Sequence, residues 1–276
     1  MITQIRSIDE VLDGIRHSKA HATEYCTNFF PDQGRLQAWI AYGDLSRLAG
    51  DRRSTLFLRK DRDFWRLYFC AADFTALREE AEKLMQWITR PVVADLVGRE
   101  TDSSNIVELL QSVGFRECGS LRRLARAMVL EELPENPGHL LVDEARMPDA
   151  MCILHLIEGT FDRHAEQLPT SYEVELAIAQ QQILLARRDE RIVGLLFFER
   201  QGLSSTVRFW VVAPEFQGTG VGASLMTAYF RRQKTVRRFT LWVNKLNAKA
   251  IQKYRHYGYV PDGLIDHVLV NGATQP

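Results

Sequence analysis

Three closely spaced glycines are the part of this sequence that points most directly to a chemical function. Gly218, Gly220 and Gly222 lie between a hydrophobic run and an amphipathic helical pattern. Glycine adopts left-handed conformations at little cost, so successive backbone N–H groups can turn towards one concave surface. The helix that begins there adds unpaired N–H groups and the positive end of its dipole. The segment 217–222 therefore predicts a binding site for a phosphate or pyrophosphate group.

Two familiar phosphate-binding loops do not fit this segment. A Walker loop requires Gly-Lys-Ser/Thr, and no such residues follow the glycines. The Rossmann fingerprint places its third glycine three residues after the second, whereas only Val221 separates Gly220 from Gly222. A tight strand-to-helix turn that binds nothing is the alternative interpretation.

Two sequence blocks resemble the GNAT superfamily of acyl-CoA-dependent N-acyltransferases. The first block, Gln/Arg-x-x-Gly-x-Gly/Ala, is matched by Gln217, Gly220 and Gly222, after a lead-in at 212–216 (Val-Ala-Pro-Glu-Phe) of the family's type. The second block, Asn-x-x-Ala-x-x-x-Tyr-x-x-x-Gly-Phe/Tyr, is matched by Asn247, Ala250, Tyr254, Gly258 and Tyr259. Lys253 departs from the pattern, since the family usually has an apolar residue there. The resemblance covers residues 140–270, about half of the chain.

The resemblance implies direct transfer of an acyl group from acetyl-CoA to an amine in a ternary complex. The Val212 backbone would pair with the pantetheine arm as an added strand does, and the Trp210 N–H would stabilise the developing oxyanion. Asn247 would support the CoA side of the cleft. Tyr254 would protonate the departing thiolate, with an aromatic core position as the alternative. The backbone amides that would hold the pyrophosphate belong to Gln217, Gly218, Thr219, Gly220, Val221, Gly222 and Ala223.

The sequence does not reveal a general base. Thr206 and Arg208 alternate along the strand before the loop, and neither is a ready base. Glu158 and Asp162, at the end of the first helix of this half, are candidates for the base, directly or through water, and for binding the acceptor; a solvated helix end is the alternative. His155 and His164 are further candidates, although a lone histidine is usually structural.

Arg208 supports a hypothesis about the acceptor. If its side chain faces the acceptor, it could pair with a carboxylate of the substrate. The acceptor would then be a small amine that carries an acidic group. An arginine on an edge strand, bound to a neighbouring carboxylate of the protein, is the alternative interpretation.

The elements that must position these residues alternate between strands and helices. Strands are predicted at 54–60, 64–71, 90–98, 121–129, 140–146, 206–214, 239–244 and 264–270, with a hairpin over 182–200. Helices are predicted at 7–19, 74–88, 105–115, 153–161, 171–181, 221–233 and 248–258. The stretch 20–50 has no clear pattern. Because hairpins interrupt the alternation, we expect an α/β fold with a mixed, mostly antiparallel sheet flanked by helices.

The two halves of the chain match at an offset of 144 residues. Residues 96–119 lie over 240–263, and both read as strand, polar loop, helix and a Gly-aromatic pair. Chance similarity between two α/β segments is the alternative. A polar segment with two prolines and a glycine, 131–139, is the best linker. The sequence therefore predicts two tandem GNAT-like domains, 1–133 and 138–276.

The first half lacks the residues that would bind CoA. At the offset of 144 residues, positions 73–78 align with 217–222. They contain no glycine, and Asp73 would repel phosphate. Leu110 lies over Tyr254, and Ser103 over Asn247. We therefore expect a degenerate domain that acts as a scaffold, forming one wall of the acceptor cleft or the surface of a homodimer.

Composition narrows the choice of partners. With 35 basic and 35 acidic side chains in 276 residues, the net charge is zero, so no general field attracts nucleic acid or a membrane. The four cysteines form no CxxC pair, and no signal-peptide core or 18-residue apolar run is present, so we expect a reduced, cytoplasmic protein without a metal.

Two other function classes stay open. An aminoacyl-tRNA-dependent transferase is supported by the basic cluster Arg231, Arg232, Lys234, Arg237 and Arg238. A non-catalytic acyl-CoA-sensing or partner-binding module would not need Tyr254. The neutral charge and the intact loop and tyrosine favour an N-acetyltransferase that uses an acyl group other than aminoacyl.

Overall fold

The computed structural model describes residues 2–30, 33–48, 53–127 and 140–272, and the chain folds into two compact units. The first unit combines Met1–Leu121 with Gly263–Pro276, and the second unit is Arg122–Asp262. The chain from Gly263 onwards therefore belongs to the first unit rather than to the half that precedes it. The predicted linker 131–139 lies outside the described residues, so the domain limits of 133 and 138 stay a prediction.

The first unit is built around an α/β segment with hydrophobic strands. Its elements are β1 (Ile2–Gln4), α1 (Ile8–Ala20), β2 (Cys26–Thr27), α2 (Gln33–Ala41), β3 (Leu45–Leu48), β4 (Ser54–Asp61), β5 (Phe64–Ala71), α3 (Phe74–Trp87), β6 (Val92–Arg99), α4 (Glu100–Ser112) and the start of β7 (Arg116–Ala127). Ser7 caps α1 by accepting a hydrogen bond from the Glu10 N–H, as expected of a serine before a helix.

The second unit contains the predicted phosphate-binding segment. Its elements are β8 (Val142–Glu144), α5 (Ala150–Glu158), α6 (Ser171–Ala179), β9 (Ile183–Arg188), β10 (Arg191–Gln201), β11 (Ser204–Val212), α7 (Val221–Arg232), β12 (Arg238–Asn244), α8 (Ala248–His256) and the start of β13 (Val260–Asn271). One buried cluster packs α7 against one face of the sheet, and a second packs α5 and α6 against the other.

Each unit has a mixed, mostly antiparallel sheet flanked by helices, so the predicted fold class is confirmed. The strand order is β1-β3-β4-β5-β6-β13 in the first unit and β12-β11-β10-β9-β8 in the second. The pairs β5–β6 and β11–β12 are parallel, and the other registered pairs within these two orders are antiparallel. β2 lies off this order and pairs with β5.

The internal repeat is visible in the order of the elements. The series β4-β5-α3-β6-α4-β7 of the first half recurs as β10-β11-α7-β12-α8-β13. β7 begins at Arg116 and β13 at Val260, which reproduces the offset of 144 residues found in the sequence.

Several predicted bounds were wrong by four or five residues. α4 begins at Glu100 instead of 105, since its polar first turn has no apolar periodicity but carries acidic residues that suit a helix N-terminus. β7 begins at Arg116 instead of 121, and β13 at Val260 instead of 264. The unassigned stretch 20–50 contains β2, α2 and β3.

Candidate active site

The strand before the glycine segment separates from its parallel neighbour. β11 and β12 pair from Ser204↔Arg238 to Val207↔Leu241, and their register ends there although both strands continue. On its other edge β11 stays paired with β10 as far as Val212↔Gly194. Among the described strands none pairs with the edge of residues 208–212 that faces β12. An open strand edge inside a sheet offers backbone groups to an extended ligand.

The backbone direction at this open edge follows from one hydrogen bond. The Ala213 N–H donates to the Val193 carbonyl at 2.9 Å, so the polar groups of Ala213 point towards β10. Because these groups alternate along a strand, those of Val212 and Trp210 point to the open edge. The Gln217 side chain reaches the Val212 carbonyl from that side, at 3.2 Å.

A β-bulge lies where β11 leaves β12. Phe197 is opposite Phe209, but the next residue of β10, Phe198, is opposite Val207, so Arg208 is the extra residue. A bulge bends its strand and redirects a side chain. The bend explains why β11 separates from β12 at this level.

The glycine segment has the conformation that its sequence predicts. Gly218 and Gly220 have φ values of +80° and +88°, in the left-handed region. A Cβ at Gly222 would lie 3.0 Å from the Cζ2 atom of Trp210, so the indole ring packs directly against the first turn of α7. Gly194 of β10 allows a similar approach, because its Cβ would lie 2.9 Å from Val221.

The N-terminus of α7 is not capped by a side chain, unlike those of four other helices. Side chains accept backbone N–H groups at the starts of α1, α3, α6 and α8. Gly220 is the N-cap of α7 and cannot do so, and the first intrahelical bond is from the Ser224 N–H to the Gly220 carbonyl, at 3.0 Å. The amides of Val221, Gly222 and Ala223 precede this bond and can therefore bind an anion.

An aromatic cluster lies beside this turn. The ring of Trp210 is 5.5 Å from that of Tyr254 and 5.9 Å from that of Tyr257, centroid to centroid. The Nε1 donor of Trp210 is buried and has no hydrogen-bond partner within the described residues. Burial, with a smaller contribution from the negative charge of Glu166, raises the pKa of the Tyr254 phenol well above its usual value. The phenol therefore stays protonated at neutral pH and can donate a proton.

The predicted residue Asn247 lies at the N-cap of α8. Its side-chain oxygen accepts the Ala250 N–H at 3.0 Å, so it orients the helix that carries Tyr254. Thr219 donates its hydroxyl to the Phe216 carbonyl at 2.7 Å, which closes the turn before α7.

Arg208 has partners within the protein. Its guanidinium donates to the carboxylate of Glu199 on β10 and, through Nη2, to the Gln167 carbonyl at 2.7 Å. The side chain is 16% exposed. This is the arrangement of the alternative interpretation, an arginine bound to a neighbouring carboxylate; it differs only in that β11 is an interior strand.

The sequence predicts Glu158 and Asp162 at the end of the first helix of this half; Glu158 is the last residue of α5, but Asp162 lies in the loop four residues beyond it, because the helix ends earlier than predicted. One Asp162 carboxylate oxygen accepts the N–H groups of His164 and Ala165 at 2.8 and 2.9 Å, so this side chain stabilises a turn. Glu158 is the last residue of α5 and is exposed, as is His155. Sequence reasoning missed Glu166, whose charge acts on Tyr254, because nothing in the local pattern around it indicates that contact.

The corresponding places in the first unit are filled by the chain itself. β5 and β6 pair only over Trp65↔Val92 and Arg66↔Val93. Beyond them β2 pairs with β5, and the Asn28 side chain donates to the carbonyls of Leu67 and Asp95 at 3.0 and 3.1 Å. The segment 26–28 thus occupies the strand edge that stays open in the second unit.

An internal carboxylate also occupies the helix N-terminus of the first unit. Asp73 accepts the Ala76 N–H of α3 at 2.8 Å and pairs with Arg53 at 2.5 Å. These two hydrogen bonds hold the pKa of its carboxyl group below the usual value. The first unit is therefore degenerate as a phosphate site, because its own chain supplies both the anion and the added strand.

Two findings bear on the predicted partners. Within the described residues, no three His, Cys, Asp or Glu side chains are grouped so that they could hold a metal ion, and no helix is long and apolar enough to cross a membrane. Two members of the basic cluster have acidic partners, Arg232 with Glu144 at 3.7 Å and Arg238 with Asp262 at 2.8 Å.

Comparison with known proteins gives one family match, within the second unit. A family model described as "Acetyltransferase (GNAT) domain" matches residues 179–261, which include the glycine segment and Tyr254. The comparison with curated proteins gave no match.

Solved structures have the same fold along the whole chain. A tandem GNAT protein from the clavulanic acid biosynthesis pathway, solved without AcCoA, is 13% identical, with a TM-score of 0.64 and coverage of 100% of this chain and 99% of that one. A GCN5-related N-acetyltransferase from Sphaerobacter thermophilus is 16% identical, with a TM-score of 0.60 and coverage of 98% and 95%. A third, from Kribbella flavida, is 16% identical, with a TM-score of 0.61 and coverage of 87% and 93%. At these identities the likeness shows the fold.

Proposed function

From a GNAT domain in the second unit and a tandem GNAT fold along the chain, we propose that the protein is an acetyl-CoA-dependent N-acetyltransferase for a small amine. The observation that carries this proposal is an open strand edge followed by an uncapped helix N-terminus. β11 offers an unpaired edge after Val207, and the uncapped N-terminus of α7 follows the same strand. An extended arm that ends in a pyrophosphate fits such a pair of features.

The residues of the second unit fit the donor substrate in three ways. The amides of Val221, Gly222 and Ala223 would bind the pyrophosphate, and the backbone of Val212 would pair with the pantetheine. The backbone N–H of Trp210 points to the same open edge. There it can stabilise negative charge on the thioester oxygen as the amine attacks. Direct transfer in a ternary complex requires no covalent intermediate on the protein.

Tyr254 is the proposed general acid. Its ring packs against Trp210 at 5.5 Å, and its raised pKa keeps the phenol protonated. The thiolate that leaves when the C–S bond breaks would take this proton. Asn247 would contribute by fixing the first turn of α8 and so the direction in which Tyr254 points.

The acceptor is proposed as a small amine, with Glu158 and Asp162 near it; a carboxylate on that amine would need Arg208 as its partner. Support for the carboxylate rests on Arg208 alone, and its bonds to Glu199 and Gln167 already give that guanidinium an anionic and a neutral acceptor.

Release of thiol from acetyl-CoA in the presence of a panel of amines tests the proposed function. Wild type should release thiol with at least one amine, and Tyr254→Phe should lower kcat about 100-fold or more while acetyl-CoA affinity is unchanged. Tight binding of acetyl-CoA without turnover of any amine would instead favour a sensing module.

A further inference from the structure

The loop between α5 and α6 is fastened to β11 at two points. Phe161 packs edge-to-face on Phe209, with ring centroids 5.1 Å apart. Six residues later the Gln167 carbonyl accepts a hydrogen bond from Arg208 at 2.7 Å. Phe209 and Arg208 are neighbours at the bulge of β11. Both contacts therefore hold the loop at the bulge, where β11 separates from β12.

The residues between these two points form a tight turn. The Asp162 carboxylate accepts two N–H groups, and its carbonyl accepts the N–H of Glu166 at 2.9 Å. Ala165 and Leu168 are buried, on either side of Glu166 and Gln167. A turn with this many internal contacts holds Glu166 in a defined position relative to β11.

The carboxylate of Glu166 acts electrostatically on the phenol of Tyr254. Within the described part of the chain, the charge of Glu166 adds to the effect of burial in raising the pKa of Tyr254, and the Tyr254 ring lies against Trp210, which follows Arg208 by two residues on β11. The aromatic neighbours Trp210 and Tyr259 that pack on Tyr254 carry no charge at neutral pH. The carboxylate and the phenol therefore face one region of the second unit.

We propose that Glu166 is the general base of the transfer reaction and that Arg208 is a positioning residue that holds its loop on β11. This inference rests on the proposed function. The acceptor nitrogen attacks the thioester carbon as a neutral amine, and its surplus proton passes to Glu166 as the C–N bond forms. The C–S bond breaks, and the sulfur takes the proton of Tyr254. The Glu166 carboxyl then returns a proton to the Tyr254 phenolate, directly or through one water, so that both groups end as they began.

This arrangement gives Arg208 a role that differs from binding a substrate carboxylate. Its charge neutralises Glu199, and its second bond fixes the carbonyl of the residue after Glu166. Loss of this bond would displace the base, and displacement of a catalytic group by about 1 Å can cost about 100-fold in rate.

A first experiment tests whether Glu166 and Tyr254 are close, without any need for activity. The full chain is labelled with ¹³C at the tyrosine ring, and the Tyr254 signal is assigned by its loss in Tyr254→Phe. As carboxyl groups titrate, over about pH 3–6, this signal should shift in wild type and in the control Glu175→Gln, an exposed glutamate of α6. In Glu166→Gln the shift should disappear, and a shift that persists there overturns the inference.

A second experiment tests the catalytic role with an amine that wild type acetylates. We expect Glu166→Gln to lower kcat about 100-fold, to remove the acid limb of the kcat/KM profile and to leave acetyl-CoA affinity unchanged, whereas Glu175→Gln matches wild type. Arg208→Gln should lower kcat about 10-fold or more but keep the acid limb, and Arg208→Lys should recover part of the loss.

The outcomes separate this inference from the proposed function. Normal turnover and an unchanged acid limb in Glu166→Gln overturn the base but leave the acetyltransferase standing. Failure of wild type to acetylate any amine overturns the proposed function itself. If Arg208→Gln raises KM only for acceptors that carry a carboxylate, and not for their carboxamides, Arg208 binds the substrate and is not a positioning residue.

Discussion

A carboxylate placed at the start of α7 should weaken donor binding, because it would bring a negative charge to the helix N-terminus, where Asp73 lies in the first unit. The substitution is Gly220→Asp, with Gly220→Asn as the neutral variant of the same shape. Nothing lies within 4 Å of a Cβ at Gly220, so neither side chain meets a steric barrier. Both variants bear the same cost of a left-handed residue, about 1 kcal/mol, which asparagine and aspartate tolerate better than most residues. The two variants therefore differ in charge alone.

The magnitude follows from the position of an N-cap side chain. Gly220 is the N-cap of α7 as Asp73 is of α3, so an aspartate there places a carboxylate beside the first turn, although Gly220 is left-handed and Asp73 is extended. At about 6 Å from a phosphate charge, and with an effective dielectric constant of about 20, the repulsion is about 3 kcal/mol. We therefore expect Gly220→Asp to bind acetyl-CoA about 100-fold more weakly than Gly220→Asn. High salt should narrow this difference, since it screens exposed charges.

Isothermal titration calorimetry measures both affinities, and urea unfolding shows whether both variants fold. Gly202 provides a matched control, because it also has positive φ, also has open space around it and lies in the β10–β11 turn. Gly202→Asp and Gly202→Asn should bind acetyl-CoA equally well. Equal affinities for Gly220→Asp and Gly220→Asn would refute a pyrophosphate site at the N-terminus of α7.

Three further predictions concern stability. Asn247→Ala removes the cap of α8 and should lower the free energy of unfolding by about 1 kcal/mol, measured by urea unfolding, with a smaller loss for Asn247→Asp. Arg66 is fully buried and pairs with Asp95 at 2.9 Å, so Asp95→Ala should destabilise the protein by about 3–5 kcal/mol; a loss below 1 kcal/mol by the same method would contradict this reasoning. Burial alone would raise the pKa of Asp61, but the charges of Arg59 and Arg66 outweigh it and lower that pKa. Stability from Asp61 is therefore present above its unfolded pKa of about 4 and is lost as the pH falls through the lower folded value, and Asp61→Asn should weaken this dependence in acid titrations of unfolding.

The features that sequence reasoning predicted are those that local residue types determine. The hydrophobic runs of β4 and β5, the amphipathic pattern of α3 and the glycines before α7 each specify their own conformation. The loss of the phosphate-binding segment in the first half could also be predicted, because Asp73 aligns with the glycine segment of the second half.

The features that were missed depend on contacts between distant segments. β2 has two residues, too few for any pattern, and it forms because β5 offers an edge that Asn28 also bonds. The bulge at Arg208 is a matter of register between β10 and β11, which hydrophobic alternation does not reveal. The influence of Glu166 on Tyr254 arises only once the α5–α6 loop is fastened to β11.

The number of acetyl-CoA molecules bound by each chain tests the central claim most directly. The second unit has an open strand edge beside an uncapped helix, while the first unit fills both places with its own residues. Calorimetric titration of the full chain should therefore give one site per chain, and this site should bind about 100-fold more weakly in Gly220→Asp than in Gly220→Asn. Two sites per chain, or one site of equal affinity in these two variants, would contradict this claim.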